Sequence, residues 1–394
     1  MKPLQNGLLC SGIGSILCGQ QNDAFHCLLH RSGEREGVDP AAVCQKLWQR
    51  FRRQAICGAD VLRPKPGRLA PADALLLGEQ LAALRQNVGV CAVRGNFDDA
   101  QTGVKRIFSD EALREELAAR GYFLSSANSI NWGRVLPQIV YYVSSYCDLL
   151  SSGAIKAGQK INVCVPTGNF GNILAGFYAK KMGVPIAKLI CASNENNVLT
   201  DFIRTGTYDR NRPFYQTASP SMDILISSNL ERLLSLLSGS DEAVRGYMKS
   251  LSETGKYTVS EPVFRAIQAE FACGFCTDAQ GAETIGKLFR ERNYLLDTHT
   301  AVAYTVLNAY RAESGDRTPT VIESTASPFK FCASVLDALG VTQHRPGTQI
   351  LAQLTEVTGR PAPGPLAALA GKKVRFDEVA DRADMRQVVT EFLR

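Results

Sequence analysis

The chain has 394 residues, 45% hydrophobic and 21% charged, the makeup of an ordinary globular protein long enough for two or three domains. A net charge of +6 is small for that length, and no basic stripe with interleaved aromatics gives a case for nucleic acid. No apolar stretch reaches the ~18–20 residues that a membrane span needs.

Residues 1–86 stand apart from the rest. They hold Cys10, Cys18, Cys27, Cys44 and Cys57, and eleven basic against seven acidic residues, so most of the net charge lies here. Their periodicity is poor apart from a helix predicted over Asp73–Arg85. Met1-Lys2 and the run Leu8 to Cys18 have the outline of a secretion signal, but Ser and Gly interrupt the run and no cleavage site follows. A cytoplasmic protein with reduced thiols is the expectation. His26 and His30 are spaced i, i+4 with no third metal ligand in view, and Gly12-Ile13-Gly14 lacks the last glycine and the leading strand of a dinucleotide fingerprint.

From Asn87 onward, strand-like and helical segments alternate with short Gly, Asn and Pro punctuation, the pattern of an α/β protein. Val88–Arg94 reads as a strand and Asp98–Phe108 as a helix. Ser126–Asn131 is a turn rich in capping residues, before a long apolar helix through Val140-Tyr141-Tyr142. Ile161–Pro166 is a strand, Ile173–Met182 a helix stopped by Gly183 and Pro185, and Pro185–Cys191 the next parallel strand. Leu230–Leu237 and Asp241–Leu251 are amphipathic helices. Val321–Glu323 is a short buried strand, and Ser327-Pro328 opens a further helix. Val357–Pro365 is a linker before a charged C-terminal segment. Units are expected at 87–150, 151–340 and 341–394.

Between the strand Ile161–Pro166 and its following helix lies Thr167-Gly168-Asn169-Phe170-Gly171-Asn172. Unpaired amides at a helix start, with the helix dipole behind them, make an anion site. Gly168 and Gly171 would let the backbone curl around a phosphate, with the Asn169 and Asn172 side chains closing the cup. Elsewhere the blander readings hold. Cys91, Cys164, Cys191 and Cys332 lie in apolar runs as buried free thiols, and Cys273-Gly274-Phe275-Cys276 has no second pair at zinc-finger spacing. His299 reads as an orienting or core residue, and Lys180-Lys181 as a solvated helix face.

Six ordered blocks after Asn87 resemble threonine synthase, a pyridoxal-phosphate (PLP) enzyme of the tryptophan-synthase-β fold. They are Arg94-Gly95-Asn96-Phe97-Asp98-Asp99-Ala100-Gln101; Ser126-Ala127-Asn128-Ser129-Ile130-Asn131-Trp132-Gly133-Arg134; the phosphate loop; Ser221-Met222-Asp223; His299-Thr300-Ala301-Val302-Ala303-Tyr304; and Glu323-Ser324-Thr325-Ala326-Ser327-Pro328-Phe329-Lys330-Phe331. The resemblance implies PLP fold type II, with two domains on twisted, mostly parallel sheets and an atypical N-terminal part. It implies a carbon–oxygen lyase that converts O-phospho-L-homoserine and water to L-threonine and phosphate, as a monomer or homodimer. It places the cofactor's phosphate on Gly168, Asn169, Phe170, Gly171 and Asn172, and the hydroxyl of Thr325 against the pyridine nitrogen. Asn131 and Arg134 are candidates for gripping substrate, since a guanidinium suits a phosphate or a carboxylate.

The chain departs from the family in one respect. The family's Schiff-base lysine lies in an N-terminal S/A-F-K-D motif, followed by a T-S-G-D-T-G loop, and neither string occurs here. Ala24-Phe25-His26-Cys27 comes nearest and carries no lysine, while Lys2, Lys46 and Lys65 sit in unrelated contexts. No catalytic lysine is therefore assigned. A non-catalytic relative, with residues 1–86 as a frameshifted or rearranged remnant, stands beside the enzyme as the second expectation.

Overall fold

Ile161–Pro166, Ile186–Ser193 and Thr320–Ser324 are apolar runs with little alternation, the signature of strands covered on both faces. The computed structural model describes residues 15–19, 90–95, 97–125, 129–372 and 376–393. The helix expected over Asp73–Arg85, the His26/His30 pair, Gly12-Ile13-Gly14, the Ala24–Cys27 string, and Lys2, Lys46 and Lys65 lie outside those residues, as do Ser126, Ala127 and Asn128.

The strands are β1 (Ser15–Gly19), β2 (Ala92–Val93), β3 (Ile161–Pro166), β4 (Ile186–Ser193), β5 (Thr207–Asp209), β6 (Lys256–Thr258), β7 (Phe271–Phe275), β8 (Thr320–Ser324) and β9 (Val379–Ala380). The principal helices begin with α1 (Phe97–Ser109), α2 (Glu111–Ala119), α3 (Trp132–Val135), α4 (Ile139–Ser151), α5 (Gly171–Lys181), α6 (Val198–Thr205) and α7 (Leu230–Ser238). They continue with α8 (Asp241–Thr254), α9 (Glu261–Glu270), α10 (Asp278–Arg292), α11 (Thr298–Ser314), α12 (Cys332–Ala338), α13 (Gln349–Thr358) and α14 (Met385–Phe392).

Five strands form one sheet in the order β1-β8-β3-β4-β7, every pair parallel. Alternate residues of the central strands feed two cores. Val163, Val165 and Val321 pack with Phe170, Ile173 and Phe177 of the loop and α5 and with α4, α6, α7 and α9. Cys164, Ile190 and Ile322 pack on the other face against α10 to α13. Parallel strands place all their carboxyl ends on one edge, where such sheets bind ligands. Cys164 pairs with Ile322 and Pro166 with Ala192, so the loop after β3 and the residues after β8 and β4 share that edge.

A smaller unit packs α1 and α2 through Ile107, Leu113 and Leu117, with β2 paired in parallel to β9. The charged C-terminal segment returns to this unit: Met385 of α14 joins its core, and Arg382 Nη1 donates to Asp99 Oδ1 at 2.7 Å. The strand expected over Val88–Arg94 is only Ala92–Val93 among the described residues, because its pairing depends on two residues from the far end of the chain. β1 was not expected within 1–86. It pairs with β8 along Ser15–Gly19.

Cys164, Cys191, Cys276 and Cys332 are buried, whereas Cys91 is only half-buried. Burial pushes the Cys276 thiol up to about 11, as suits an inert structural thiol. The Lys180-Lys181 pair is not simply solvated: Lys180 Nζ lies 2.6 Å and Lys181 Nζ 3.1 Å from the Glu270 carboxylate. Glu270 closes α9, so the pair fastens the end of α5 to that helix. Met385→Ala, which empties the seat of α14 in the small core, should cost about 2–3 kcal/mol locally, read as faster amide hydrogen exchange in α1 and α2.

Candidate functional site

The loop at the mouth of α5 is shaped by what holds its carbonyls. Ser227 Oγ donates to the Gly168 carbonyl at 2.6 Å. The Asn229 amide nitrogens, side chain and main chain, donate to the Asn169 carbonyl at 3.0 and 3.2 Å. The Phe170 carbonyl accepts from Leu174 N at 3.1 Å, and Tyr142 Oη donates to the Asn172 carbonyl at 2.6 Å. A trans peptide points its C=O and N–H in opposite directions, so fastening the carbonyls of 168, 169 and 170 aims the amides of 169, 170 and 171 the other way. Among the described residues those amides, with the amides of Gly168 and Asn172, meet no protein acceptor. They converge at the positive end of the α5 dipole.

The glycines serve a different purpose from the one expected. The left-handed residue is Phe170, at φ 64°, and neither Gly168 nor Gly171 has a positive φ. The Phe170 ring is fully buried, 5.7 Å from the Phe271 ring centroid, and that anchor holds the backbone in a conformation L-residues avoid. The glycines are there for close approach. A Cβ on Gly168 would lie 3.0 Å from Met222 Cα, and one on Gly171 would lie 2.6 Å from Ser129 Cβ. The Asn172 side chain is turned inward, donating to the Pro166 carbonyl at 2.9 Å, so it stiffens the loop and does not close the cup. Asn169 Oδ1 accepts from Ser228 Oγ at 3.4 Å.

Thr325 follows β8 on the same sheet edge, half-buried, and its hydroxyl has no partner among the described residues. Beside it Ser324 Oγ accepts from Thr300 Oγ1 at 3.1 Å. Two residues earlier, Glu323 is buried with Oε2 3.3 Å from Tyr142 Oη and Oε1 unpartnered. Burial raises its carboxyl to about 7, a rise the Tyr142 hydrogen bond partly opposes.

Asn131 caps α3, its Oδ1 accepting from Gly133 N at 2.9 Å, and Arg134 stands half-buried on the same short helix. Thus Asn131 shapes the helix that carries Arg134. The 129–134 segment is tied to the phosphate loop by residues the sequence analysis did not single out. Asn229, fully buried, donates to Ser129 Oγ at 2.9 Å, and Arg232 Nη1 donates to the Ser129 carbonyl at 2.8 Å. Arg232 also donates to the Ile130 carbonyl and to Asn229 Oδ1. The only sequence signal was Ser227-Ser228-Asn229 before an amphipathic run, which reads as a helix cap. In fact Asn229 stands at the cap position of α7 and makes no side-chain cap bond.

The remaining blocks act from behind. Asp223 Oδ1 accepts from Asn194 Nδ2, Asn196 Nδ2 and Thr217 Oγ1 at 2.7–3.0 Å, a hub that fixes the turn carrying Met222 under Gly168. His299 is buried, with Nε2 accepting from Ser221 N at 3.3 Å and Nδ1 3.2 Å from Asp297 Oδ1. It orients the same turn, as its reading from sequence anticipated. Lys180 and Lys181 lie at the far end of α5 from the loop.

The parallel five-stranded sheet covered by helices on both faces has the architecture of PLP fold type II. Residues 300–389 match the family model "Threonine synthase, C-terminal". Threonine synthase-like 1 from Homo sapiens is 44% identical over 274 residues, 68% of this chain and 36% of that protein. Threonine synthase from Saccharomyces cerevisiae is 37% identical over 289 residues, 69% of this chain and 54% of that protein. Among solved structures, PLP-bound threonine synthase from Brucella melitensis superimposes with a TM-score of 0.63 at 36% identity, covering 80% of this chain and 62% of that one. Threonine synthase from yeast gives 0.66 at 32%, covering 80% and 61%. From about residue 87 onward the chain is similar to threonine synthases. It spans from about a third to somewhat over half of the length of these relatives' sequences.

Asn229→Ala frees the Asn169 carbonyl and leaves Ser129 Oγ without its donor. It should cost about 1–3 kcal/mol, and hydrogen exchange at the 168–172 amides should accelerate more than in β3 or β4.

Proposed function

We propose that this chain is a threonine synthase-like protein that binds PLP, with O-phospho-L-homoserine as the phosphoester it acts on and L-threonine and phosphate as products. The reading is carried by one observation: five consecutive amides at the mouth of α5 without protein acceptors among the described residues, those of 169–171 turned outward by the hold of Ser227, Asn229 and Leu174 N on the carbonyls behind them. That donor set suits a phosphate monoester, and the lack of room for a Cβ at Gly168 and Gly171 keeps the cup open at its floor. When bound there, the cofactor supplies an electron sink for carbanion chemistry at the amino-acid carbon.

The chain's own residues have separate tasks in this reading. The amides of 168–172 fix the phosphate, and the dipole of α5 favours its charge. The Thr325 hydroxyl serves the ring nitrogen by donating a hydrogen without forcing that nitrogen to take a proton. Arg134 grips the substrate's phosphate or carboxylate by bidentate bonding, and Asn131 keeps the helix that carries it in place. Asn229 and Arg232 join that grip to the cofactor loop, so substrate and cofactor are positioned by one rigid segment.

The absence of the S/A-F-K-D lysine motif from the sequence favours a second reading: a domain that binds the cofactor without a covalent link and does not turn over. PLP titration of the purified chain followed by borohydride reduction and peptide mass spectrometry separates the two. A reduced adduct on one lysine supports the enzyme; saturable binding without an adduct supports the non-catalytic relative. No saturable binding sinks both. Gly171→Ala, which drives a methyl into Ser129, should weaken PLP binding about tenfold or more through displaced amide donors. Thr325→Val should leave affinity for inorganic phosphate unchanged while shifting the absorbance of bound PLP.

A further inference from the structure

The Tyr142 hydroxyl lies between two acceptors but has one hydrogen. Its 2.6 Å approach to the Asn172 carbonyl takes that hydrogen. The 3.3 Å approach of Glu323 Oε2 is then a hydrogen bond only if the carboxyl brings a hydrogen of its own. An ionised carboxylate offers about four acceptor positions, yet Glu323 is buried and its Oε1 has no partner among the described residues. A neutral acid leaves far less charge unsatisfied there.

The surroundings offer Glu323 no cation among the described residues. α4 presents Tyr142, whose hydroxyl is itself pushed well up by burial, and α5 presents the Asn172 carbonyl. β3 places Val165 alongside, by the register of Cys164 with Ile322, and β1 pairs Cys18 with Glu323. The chain Glu323–Tyr142–Asn172 therefore ends at the first turn of the helix whose mouth is the phosphate loop.

We propose that Glu323 is a protonated positioning residue: its acid hydrogen goes to Tyr142 Oη, which frees the Tyr142 hydrogen for the Asn172 carbonyl, so that ionising Glu323 weakens the anion site. On ionisation the Tyr142 hydrogen turns to the carboxylate, the stronger acceptor, and the Asn172 carbonyl in the first turn of α5 loses that second donor. A negative charge also appears beneath a site built for anions. Both effects have the same sign, so anion affinity falls as pH rises. By linkage, a bound anion holds the proton on Glu323 more tightly. This inference rests on residues 168–172 being an anion site.

Sulfate is the probe, because it keeps its charge across the range while PLP and phosphate titrate. Its affinity for the whole chain should drop about tenfold between about pH 6 and about pH 8.5 through the charge formed at Glu323. Glu323→Gln, whose amide donates to Tyr142 as the neutral acid does, should bind sulfate with nearly the same affinity at both ends. In the wild type, infrared difference spectra should show a carboxylic-acid carbonyl band that fades as pH rises through about 7 and returns on adding sulfate. That measurement stands even if the Gln variant fails to fold. Sulfate binding that is flat with pH, a slope retained in Glu323→Gln, or no such band overturns the inference and leaves the anion site intact. No sulfate bound at any pH removes the anion site, and this inference with it.

Discussion

Four carbonyls at the mouth of α5 are held, and everything the site can do follows from that constraint. A loop whose carbonyls were loose could turn any of them toward a ligand and repel an anion. Ser227, Asn229 and Leu174 N remove that freedom at 168–170, where planar peptides turn the amides of 169–171 outward, and Tyr142 holds the Asn172 carbonyl in the first turn. The donors come from α4, α5 and the segment before α7, so the cup depends on the packing of a whole sheet face. Phe170 makes the same point from below: its left-handed backbone persists because its ring is fixed against Phe271.

The loop is also tied to the 129–134 segment. Asn229 reaches both the Asn169 carbonyl and Ser129, and Arg232 holds the backbone at 129 and 130. A displacement of the 129–134 segment is therefore felt at the 168–172 loop. On the other side, the turn at 221–223 sits under Gly168 and is fixed by the Asp223 hub and by His299. Glu323 adds a titratable group to this frame, one strand from the loop. The 168–172 loop, the 129–134 segment and the 221–223 turn are thus held in one connected network. The lysine that the family uses for covalent chemistry has no matching motif in the sequence, which is why binding and turnover are separate questions for this chain.

Much of the fold was legible because the signals were local. β3 runs over Ile161–Pro166 as its apolar run predicted, and α7 and α8 begin at Leu230 and Asp241 as their amphipathic patterns did. α1 extends the expected Asp98–Phe108 by one residue at each end. β7, a five-residue strand following α9 with no loop, was hidden inside the Cys273–Cys276 motif, and β2 depends on a partner nearly 290 residues away, as Arg94 and Asp381 show. Local periodicity carries no record of such pairings.

The sequence by itself determined that a strand, a glycine-bearing loop and a helix would meet at Thr167–Asn172, and that Thr325 belongs to a block of the same family. Those facts depend on hydrogen-bond geometry and composition within a few residues. Only the tertiary structure decided which residue takes the left-handed turn, why the glycines must be glycines, that Asn172 faces inward, and that Ser227 and Asn229 aim the amides. Each of these depends on atoms brought together from distant parts of the chain, and steric exclusion and carbonyl pairing act through space, without regard to sequence separation.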